Sequence, residues 1–141
     1  MIKTVKLPDN ILDLIHAVEN CLNIQPKVVF AYLFGSFAGG SPKPFSDVDI
    51  AVCVNDCKNC GETKLEILEK LTEVLQTDEI DLVVLNTASL PLAINILKKK
   101  RVLVDKQPYA RHAFESLTMR KYFDFSIKES AILRRRYMNG R

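Results

Sequence analysis

The chain has 141 residues, of which 48% are hydrophobic and 26% charged, and its formal net charge is +3. These values are ordinary for a soluble globular chain, and the length predicts one domain, residues 1–141, with a real core. The small net charge does not by itself indicate nucleic-acid binding. No apolar run is long enough to span a bilayer and no signal peptide is visible, so we expect a cytoplasmic protein.

The first half of the chain predicts one helix and two strands. The helix places four apolar residues on one face: Ile11, Ile15, Val18 and Leu22. An apolar strand at residues 28–34 leads into Gly35, and a second strand begins with Asp47 and ends near Asn55. The connection between them, residues 37–46, contains two glycines and two prolines and is therefore a loop.

The second half predicts two helices and two strands before a C-terminal helix. Residues 62–75 form a helix. Its predicted core-facing residues are Leu65, Leu68 and Leu71. The near-continuous apolar run at residues 79–85 predicts a strand buried on both faces. Ser89 can cap the next helix, residues 101–105 form a strand at the sheet edge, and residues 109–138 form a long or broken helix. The whole pattern predicts an α/β fold, with helices packed against a small mixed sheet.

Three carboxylates are the candidate catalytic and metal-binding residues. Asp47 and Asp49 stand two positions apart at the start of a strand, so we expect them to share one face. Two adjacent carboxylates repel each other unless a cation lies between them, and Mg²⁺ prefers carboxylates together with substrate phosphates. Asp81 is the one charge inside an apolar strand, and a buried charge is costly unless it is paired or metal-bound. If the two strands are neighbours, the three carboxylates converge on one site.

The turn at Gly35-Ser36 supplies a candidate phosphate cradle. Gly35 has no Cβ, so backbone can approach a ligand closely there, and successive N–H groups in such a turn bind anions. The Ser36 hydroxyl can donate one more hydrogen bond to a phosphate oxygen. Lys43, in the following loop, is a further phosphate candidate. A cradle beside a carboxylate pair favours chemistry on a nucleoside triphosphate, although a Gly-Ser or an Asp-x-Asp alone is more often a turn or a cap.

The cysteines and the C-terminal aromatics leave alternatives open. Cys57 and Cys60 form a CxxC pattern that can indicate zinc, a redox pair or a local disulfide. We favour reduced, unligated thiols, since a structural zinc needs four ligands and no histidine is near in sequence. Tyr122, Phe125 and Tyr137 fall outside the apolar stripe of the last helix. They indicate either a protein-docking surface or a bend in the helix that buries them.

A family resemblance connects these motifs. Gly35-Ser36, the ten-residue gap, Ser46-Asp47-Val48-Asp49 and Asp81 resemble the signature of the DNA polymerase β-like nucleotidyltransferase superfamily. The chain is similar to the minimal nucleotidyltransferase (MNT) branch, and within it to the antitoxins encoded beside HEPN-domain ribonuclease toxins. Many relatives carry a basic residue where this chain has Gly39, a departure that bears on how the leaving pyrophosphate is held.

The resemblance implies a Mg²⁺-dependent adenylyltransferase that neutralises a HEPN toxin by moving AMP from ATP to a tyrosine hydroxyl. Asp47 and Asp49 would hold the metal, while Gly35 and Ser36 would bind the triphosphate. Asp81 would help to deprotonate the acceptor hydroxyl. Two alternatives remain at this point: transfer to a small-molecule hydroxyl, as in antibiotic-modifying relatives, and neutralisation of the toxin by contact without turnover.

Overall fold

The structure is a computed structural model that describes residues 11–35, 47–77 and 79–139. Helices and strands follow one another along these ranges. The elements are α1 (Ile11–Asn23), β1 (Val28–Phe34), β2 (Val48–Val54), α2 (Cys60–Leu75), β3 (Ile80–Val84), a 3₁₀ turn (Leu85–Thr87), α3 (Leu90–Lys98), β4 (Arg101–Asp105) and α4 (Pro108–Asn139).

The four strands form one mixed sheet in the order β3-β2-β1-β4. β1 pairs antiparallel with both β2 and β4, and β2 pairs in parallel with β3. Every residue of β1 except Phe34 is buried, because this strand lies inside the sheet and is covered on both faces. The predicted α/β fold with a small mixed sheet is confirmed, and so is the predicted edge position of β4.

The strand β3 differs from its prediction because it lies at the other edge of the sheet. Leu82 and Val84 are buried, whereas Asp81 is exposed. Val83, on the opposite face, is partly buried as well, so the prediction of burial on both faces is correct for the apolar residues of β3 and wrong at Asp81. An apolar run cannot by itself distinguish an inner strand from a strand at the edge of a sheet. Since Asp81 reaches water at this edge, its charge needs no buried partner.

Helices cover both faces of the sheet and create two apolar cores. α1 and α2 pack on one face, where Leu22 and Ile50 are fully buried. α3 and the start of α4 cover the other face. There the Phe30 ring lies 5.5 Å from the ring of Tyr32 and 5.7 Å from that of Phe114, measured between centroids. β1 supplies side chains to both cores because successive residues of a strand point to opposite faces.

The helix α2 presents a different face to the core from the one predicted. Its buried residues are spaced four apart: Thr63, Ile67, Leu71 and Leu75. The prediction is confirmed at Leu71, and Leu68 is partly buried against the same core. It is wrong at Leu65, which is 65% exposed, because the small Thr63 occupies the row that faces the sheet. The apolar face predicted for α1 is confirmed at Ile15, Val18 and Leu22.

The helix α4 is 32 residues long, and its buried and half-buried residues lie in its first part. Phe114 packs against the core beneath α3, and Thr118 is the last buried residue in the described part of the chain. Residues 119–135 are all exposed. No helix in the described ranges, this one included, is long and apolar enough to cross a membrane.

The exposed part of α4 decides between the two interpretations of its aromatic residues. Tyr122 is 38% exposed and Phe125 is 51% exposed. The alternative in which a bend buries them is therefore wrong for these two residues, while the side chain of Tyr137 lies outside the described ones. The predicted apolar stripe is not a core face either, since Phe123 is 64% exposed.

A polar network anchors the start of α4 to the sheet. The Tyr32 hydroxyl donates to Glu115 Oε2 at 2.6 Å. Arg111 donates from Nη1 to the same oxygen at 3.0 Å, and its Nε lies 3.0 Å from Asp105 Oδ2. Lys100 Nζ lies 3.8 Å from the Glu115 carboxylate. Burial alone would raise the pKa of Glu115, but the hydrogen bonds from Tyr32 and Arg111 and the two cations lower it overall.

The CxxC pattern is a disulfide in the structure. Cys57 precedes α2 and Cys60 is its first residue, so the helix start brings their Cα atoms to 4.8 Å, a normal separation for a bridged pair. The preference for reduced thiols is therefore wrong for these two residues. Cys53 lies on β2 as a free, half-buried thiol whose pKa is raised by burial.

Candidate functional site

The parallel pairing of β2 and β3 brings two carboxylate residues side by side. Asp49 of β2 lies opposite Asp81 of β3 in the strand register. The backbone N–H of Val48 donates to the carbonyl of Glu79 at 3.0 Å, which fixes this register where the two strands begin. Asp47 comes one residue before β2, and its charge also acts on Asp49. The structure thus gathers the three predicted carboxylates at the start of two adjacent strands.

Burial differs along β2 as the alternation of the strand requires. Val48 and Ile50 are fully buried, as predicted, while Asp47 is exposed and Asp49 is half-buried. The pKa of Asp49 is raised to about 6, first by burial and then by the negative charges of Asp81 and Asp47. A cation between these carboxylates would relieve the repulsion and hold Asp49 ionised.

Gly35 is the residue through which the turn after β1 meets the carboxylates. Its φ is +74°, in the left-handed region, and a Cβ at this position would collide with Asp49 Oδ2. Phe34, the residue before it, lies opposite Asp49 in the antiparallel register of β1 and β2. Only glycine therefore lets the turn pass this close to the Asp49 carboxylate. Sequence reasoning singled out Gly35 for phosphate approach, and the structure adds its close approach to Asp49.

The carboxylates fit a divalent cation by their chemistry. Within the described ranges, no three His, Cys, Asp or Glu side chains are grouped closely enough to form a ready-made metal site. The donors around Asp49 are carboxylate oxygens whose charges repel each other, and such donors suit hard cations, Mg²⁺ among them. The assignment of Asp47, Asp49 and Asp81 as metal ligands stays a prediction.

The remaining predicted site residues lie outside the described part of the chain. They are Ser36 and Lys43, together with Gly39 where relatives carry a basic residue. Their assignment to the triphosphate stays a prediction. Gly35, the first residue of the same motif, is the one whose backbone conformation is described.

A groove beside Asp81 is a feature that sequence reasoning missed. It has a volume of about 380 Å³ and follows β3 from Asp81 to Val84. Lys64 of α2 lines one side and Ser89, just before α3, lines the other. No sequence signal marks it, because a groove along a strand exists only where that strand is an edge, and the apolar run of β3 does not reveal its position in the sheet.

Most of the chain matches the model of a known protein family. A model of the family Polymerase beta, Nucleotidyltransferase matches residues 16–109, about two thirds of the chain. The match extends from α1 to the start of α4. It includes Gly35 and the three carboxylates Asp47, Asp49 and Asp81.

Individual relatives agree with the family match. The protein adenylyltransferase MntA of Shewanella oneidensis is 36% identical over 78 residues, which cover 55% of this chain and 55% of that protein. The chain thus spans about half the length of this curated relative. A solved toxin-antitoxin structure with AMP-PNP has a TM-score of 0.69 at 30% identity, covering 84% of this chain and 94% of that one. The structure of a tri-AMPylated S. oneidensis HEPN toxin in complex with its MNT antitoxin has a TM-score of 0.67 at 26% identity, covering 88% and 96%.

Proposed function

Because this chain belongs to the polymerase β nucleotidyltransferase family, we propose that it transfers AMP from ATP to a tyrosine hydroxyl of a HEPN ribonuclease toxin and acts as its antitoxin. The observation that carries this proposal is the pairing of Asp49 with Asp81 on parallel strands, directly beside the Gly35 turn. The similarity to MntA and to a structure that contains an AMPylated HEPN toxin supports the donor and the partner.

The proposed metal ligands are Asp47, Asp49 and Asp81, and the proposed metal is Mg²⁺. When bound, Mg²⁺ would neutralise the phosphate charge that builds up as the α-phosphorus is attacked. The half-buried Asp49 is the centre of this set, since both neighbouring carboxylates raise its pKa. Asp47→Asn should therefore remove nucleotidyl transfer and leave the fold intact, because it deletes one charge at an exposed position with little change of volume.

The residues around the carboxylates would position the substrates. Gly35 and Ser36 would bind the triphosphate through backbone N–H groups and the serine hydroxyl, with Lys43 as an additional cation. The acceptor oxygen attacks the α-phosphorus in line, the bond from the α-phosphorus to the bridging oxygen breaks, and pyrophosphate leaves. Asp81 is exposed at the sheet edge, where its carboxylate can take the proton of the acceptor hydroxyl.

The exposed part of α4 is the proposed docking surface for the toxin. Residues 119–135 are all exposed, although the centroid of the Tyr122 ring still lies 5.9 Å from Lys98 Nζ at the end of α3. They include Tyr122, Phe123 and Phe125 among their exposed apolar side chains. Aromatic side chains exposed in this way are typical of the centre of a protein interface. A docked toxin would also bring its hydroxyl to the site as an effectively intramolecular nucleophile.

Neutralisation by contact alone is the second candidate function. The same exposed helix favours it, because a helix with this much apolar surface can bind a partner with or without catalysis. The two functions differ in what happens to the toxin. Contact leaves its mass unchanged, whereas adenylyl transfer adds covalent AMP.

Intact-mass spectrometry of the proposed HEPN toxin partner tests the proposal. We expect one or more AMP additions after incubation with the chain, ATP and Mg²⁺, and none with EDTA or with Asp47→Asn. An unmodified toxin whose ribonuclease activity is still suppressed would replace catalysis with contact. The predicted cytoplasmic location does not enter this test and stays a prediction.

A further inference from the structure

The strand that carries Asp81 has an open edge. Among the described strands, β3 pairs only with β2, on one side. The groove of about 380 Å³ lies along its other side, between the start of α2 and the residues before α3. An edge strand with accessible backbone is a template on which another extended segment can pair.

The hydrogen bonds of β2 show which backbone groups face this open edge. The carbonyl of Glu79 accepts from Val48 of β2, so the odd-numbered residues here direct their N–H and C=O groups toward β2. The backbone N–H and C=O groups of successive residues in a strand point alternately toward its two neighbouring strand positions. The N–H and C=O of Ile80 and Leu82 therefore point into the groove. The side chain of Leu82 is buried, so this residue can contact a partner in the groove only through its backbone.

We propose that the acceptor segment of the partner toxin binds as an added strand on this edge of β3, with its backbone paired to Leu82 and its tyrosine beside Asp81. This inference rests on the proposed function and names the acceptor subsite for it. Neighbouring strands lie about 4.8 Å apart, and residues opposite each other share a face. Asp49 and Asp81 are paired across β2 and β3. A tyrosine paired opposite Asp81 on the added strand would extend this row by one residue, on the side where Asp81 is exposed.

The open edge fits a polypeptide better than a small acceptor. Outward N–H and C=O groups that alternate along a strand are complementary to another extended backbone, which a sugar or an antibiotic does not supply. The groove is continuous with the carboxylate site, since Asp81 lines both. A structural relative contains an AMPylated protein, which is the class of acceptor that such an edge can hold. A second copy of this chain could also pair there, but it would cover the place that the acceptor needs.

Residue-resolved amide hydrogen exchange tests this binding mode without requiring turnover. The chain is compared alone and with its proposed HEPN toxin partner, in Mg²⁺ and α,β-methylene ATP, which cannot release AMP. The Leu82 amide should exchange quickly in the free chain and at least about tenfold more slowly in the complex. The Val83 amide, which faces β2, is the internal control and should be protected in both states.

Two exchange results would overturn the proposal. One is a complex in which Leu82 exchanges as fast as it does in the free chain. The other is a Leu82 amide already protected in the free chain and losing that protection on dilution, which would assign the edge to a second copy of the chain.

A matched pair of variants tests the same contact by activity. Leu82→Pro and Leu82→Ala both remove the buried side chain, but only proline removes the N–H that points into the groove. AMP transfer to the toxin should be at least about tenfold slower with proline than with alanine, with equal affinity for ATP. Equal transfer rates in two folded variants would refute the added strand and leave the proposed function standing. No transfer by the unmutated chain would instead refute the proposed function itself.

Discussion

Gly35 lies so close to Asp49 that a β-carbon on residue 35 would overlap the Asp49 carboxylate. The turn after β1 and the central carboxylate of β2 therefore depend on each other's position. The antiparallel pairing of Phe34 with Asp49 holds the two strands in the register that creates this contact. The turn at Gly35 and the Asp49 carboxylate are in this sense one structural unit.

The first prediction is that Gly35→Ala displaces Asp49 and loses both stability and activity. The left-handed backbone and the collision together should cost about 1–3 kcal/mol in the free energy of unfolding. Transfer of AMP should fall by more than the stability loss explains, because Asp49 moves. Gly61→Ala is the control, since it lies in α2 with open space around the new Cβ and should be neutral or stabilising in thermal unfolding. Normal activity of a folded Gly35→Ala variant would contradict the claim that the position of Asp49 depends on Gly35.

The second prediction concerns the pH dependence of stability. The folded protein raises the pKa of Asp49 from 3.8 to about 6, so ionisation of this carboxyl opposes folding. The contribution of Asp49 to the free energy of unfolding should therefore fall as pH rises from about 4 to 6.5, so the difference between the unmutated chain and Asp49→Asn should change over this range. The difference at pH 7 should be about 1 kcal/mol, because solvent screens a half-buried group. Urea unfolding without metal measures it, with the exposed Asp124→Asn as control.

Mg²⁺ extends the same prediction. If the carboxylates bind the ion, it should raise the melting temperature of the unmutated chain at pH 7 and have less effect near pH 5, where Asp49 is protonated. Asp49→Asn should respond weakly at both pH values. Equal stabilisation of the variant and the unmutated chain would place Mg²⁺ elsewhere.

The third prediction concerns the attachment of α4. Glu115→Ala removes the acceptor for both the Tyr32 hydroxyl and Arg111, and should lower the free energy of unfolding by about 2–3 kcal/mol. Because the pKa of Glu115 is lowered in the folded state, its contribution is present above its unfolded value of about 4.5 and is lost as pH falls. Thermal unfolding measures this, and the exposed Glu129→Ala should change it by less than about 0.5 kcal/mol. A similar loss in both variants would mean that the network does not anchor α4.

The fourth prediction separates docking from nucleotide binding. Tyr122→Ala and Phe125→Ala should each weaken the complex with the HEPN toxin by about 1–2 kcal/mol, because they truncate exposed aromatic side chains at the proposed interface. Their affinity for ATP should be unchanged, as measured by calorimetry. Tyr109→Ala is a matched control: the residue is 90% exposed on the same helix, but at its packed end. Weakening by Tyr109→Ala alone would move the interface to the body of the protein.

The sequence predicts well those features that local patterns determine. The alternation around Asp49 correctly places Val48 and Ile50 in the core, and the apolar runs correctly locate the strands. The features that the sequence does not predict are those that depend on which helices and strands become neighbours in the fold. The edge position of β3, and hence the exposure of Asp81, follows from the strand order. Leu65 and Leu71 are both leucines of α2 and look alike in the sequence. Only the packing of α2 on the sheet buries Leu71 and leaves Leu65 exposed.

Transfer of the α-phosphate to the toxin is the reaction that defines the proposed function, and paired isotopic labels follow it. The HEPN toxin is incubated with this chain, Mg²⁺ and ATP labelled at either the α- or the γ-phosphate. We predict that the α-label becomes covalently attached to the toxin while the γ-label leaves as pyrophosphate. Attachment of the γ-label would mean phosphorylation. Suppressed toxin carrying neither label would mean that this chain neutralises its partner by contact alone.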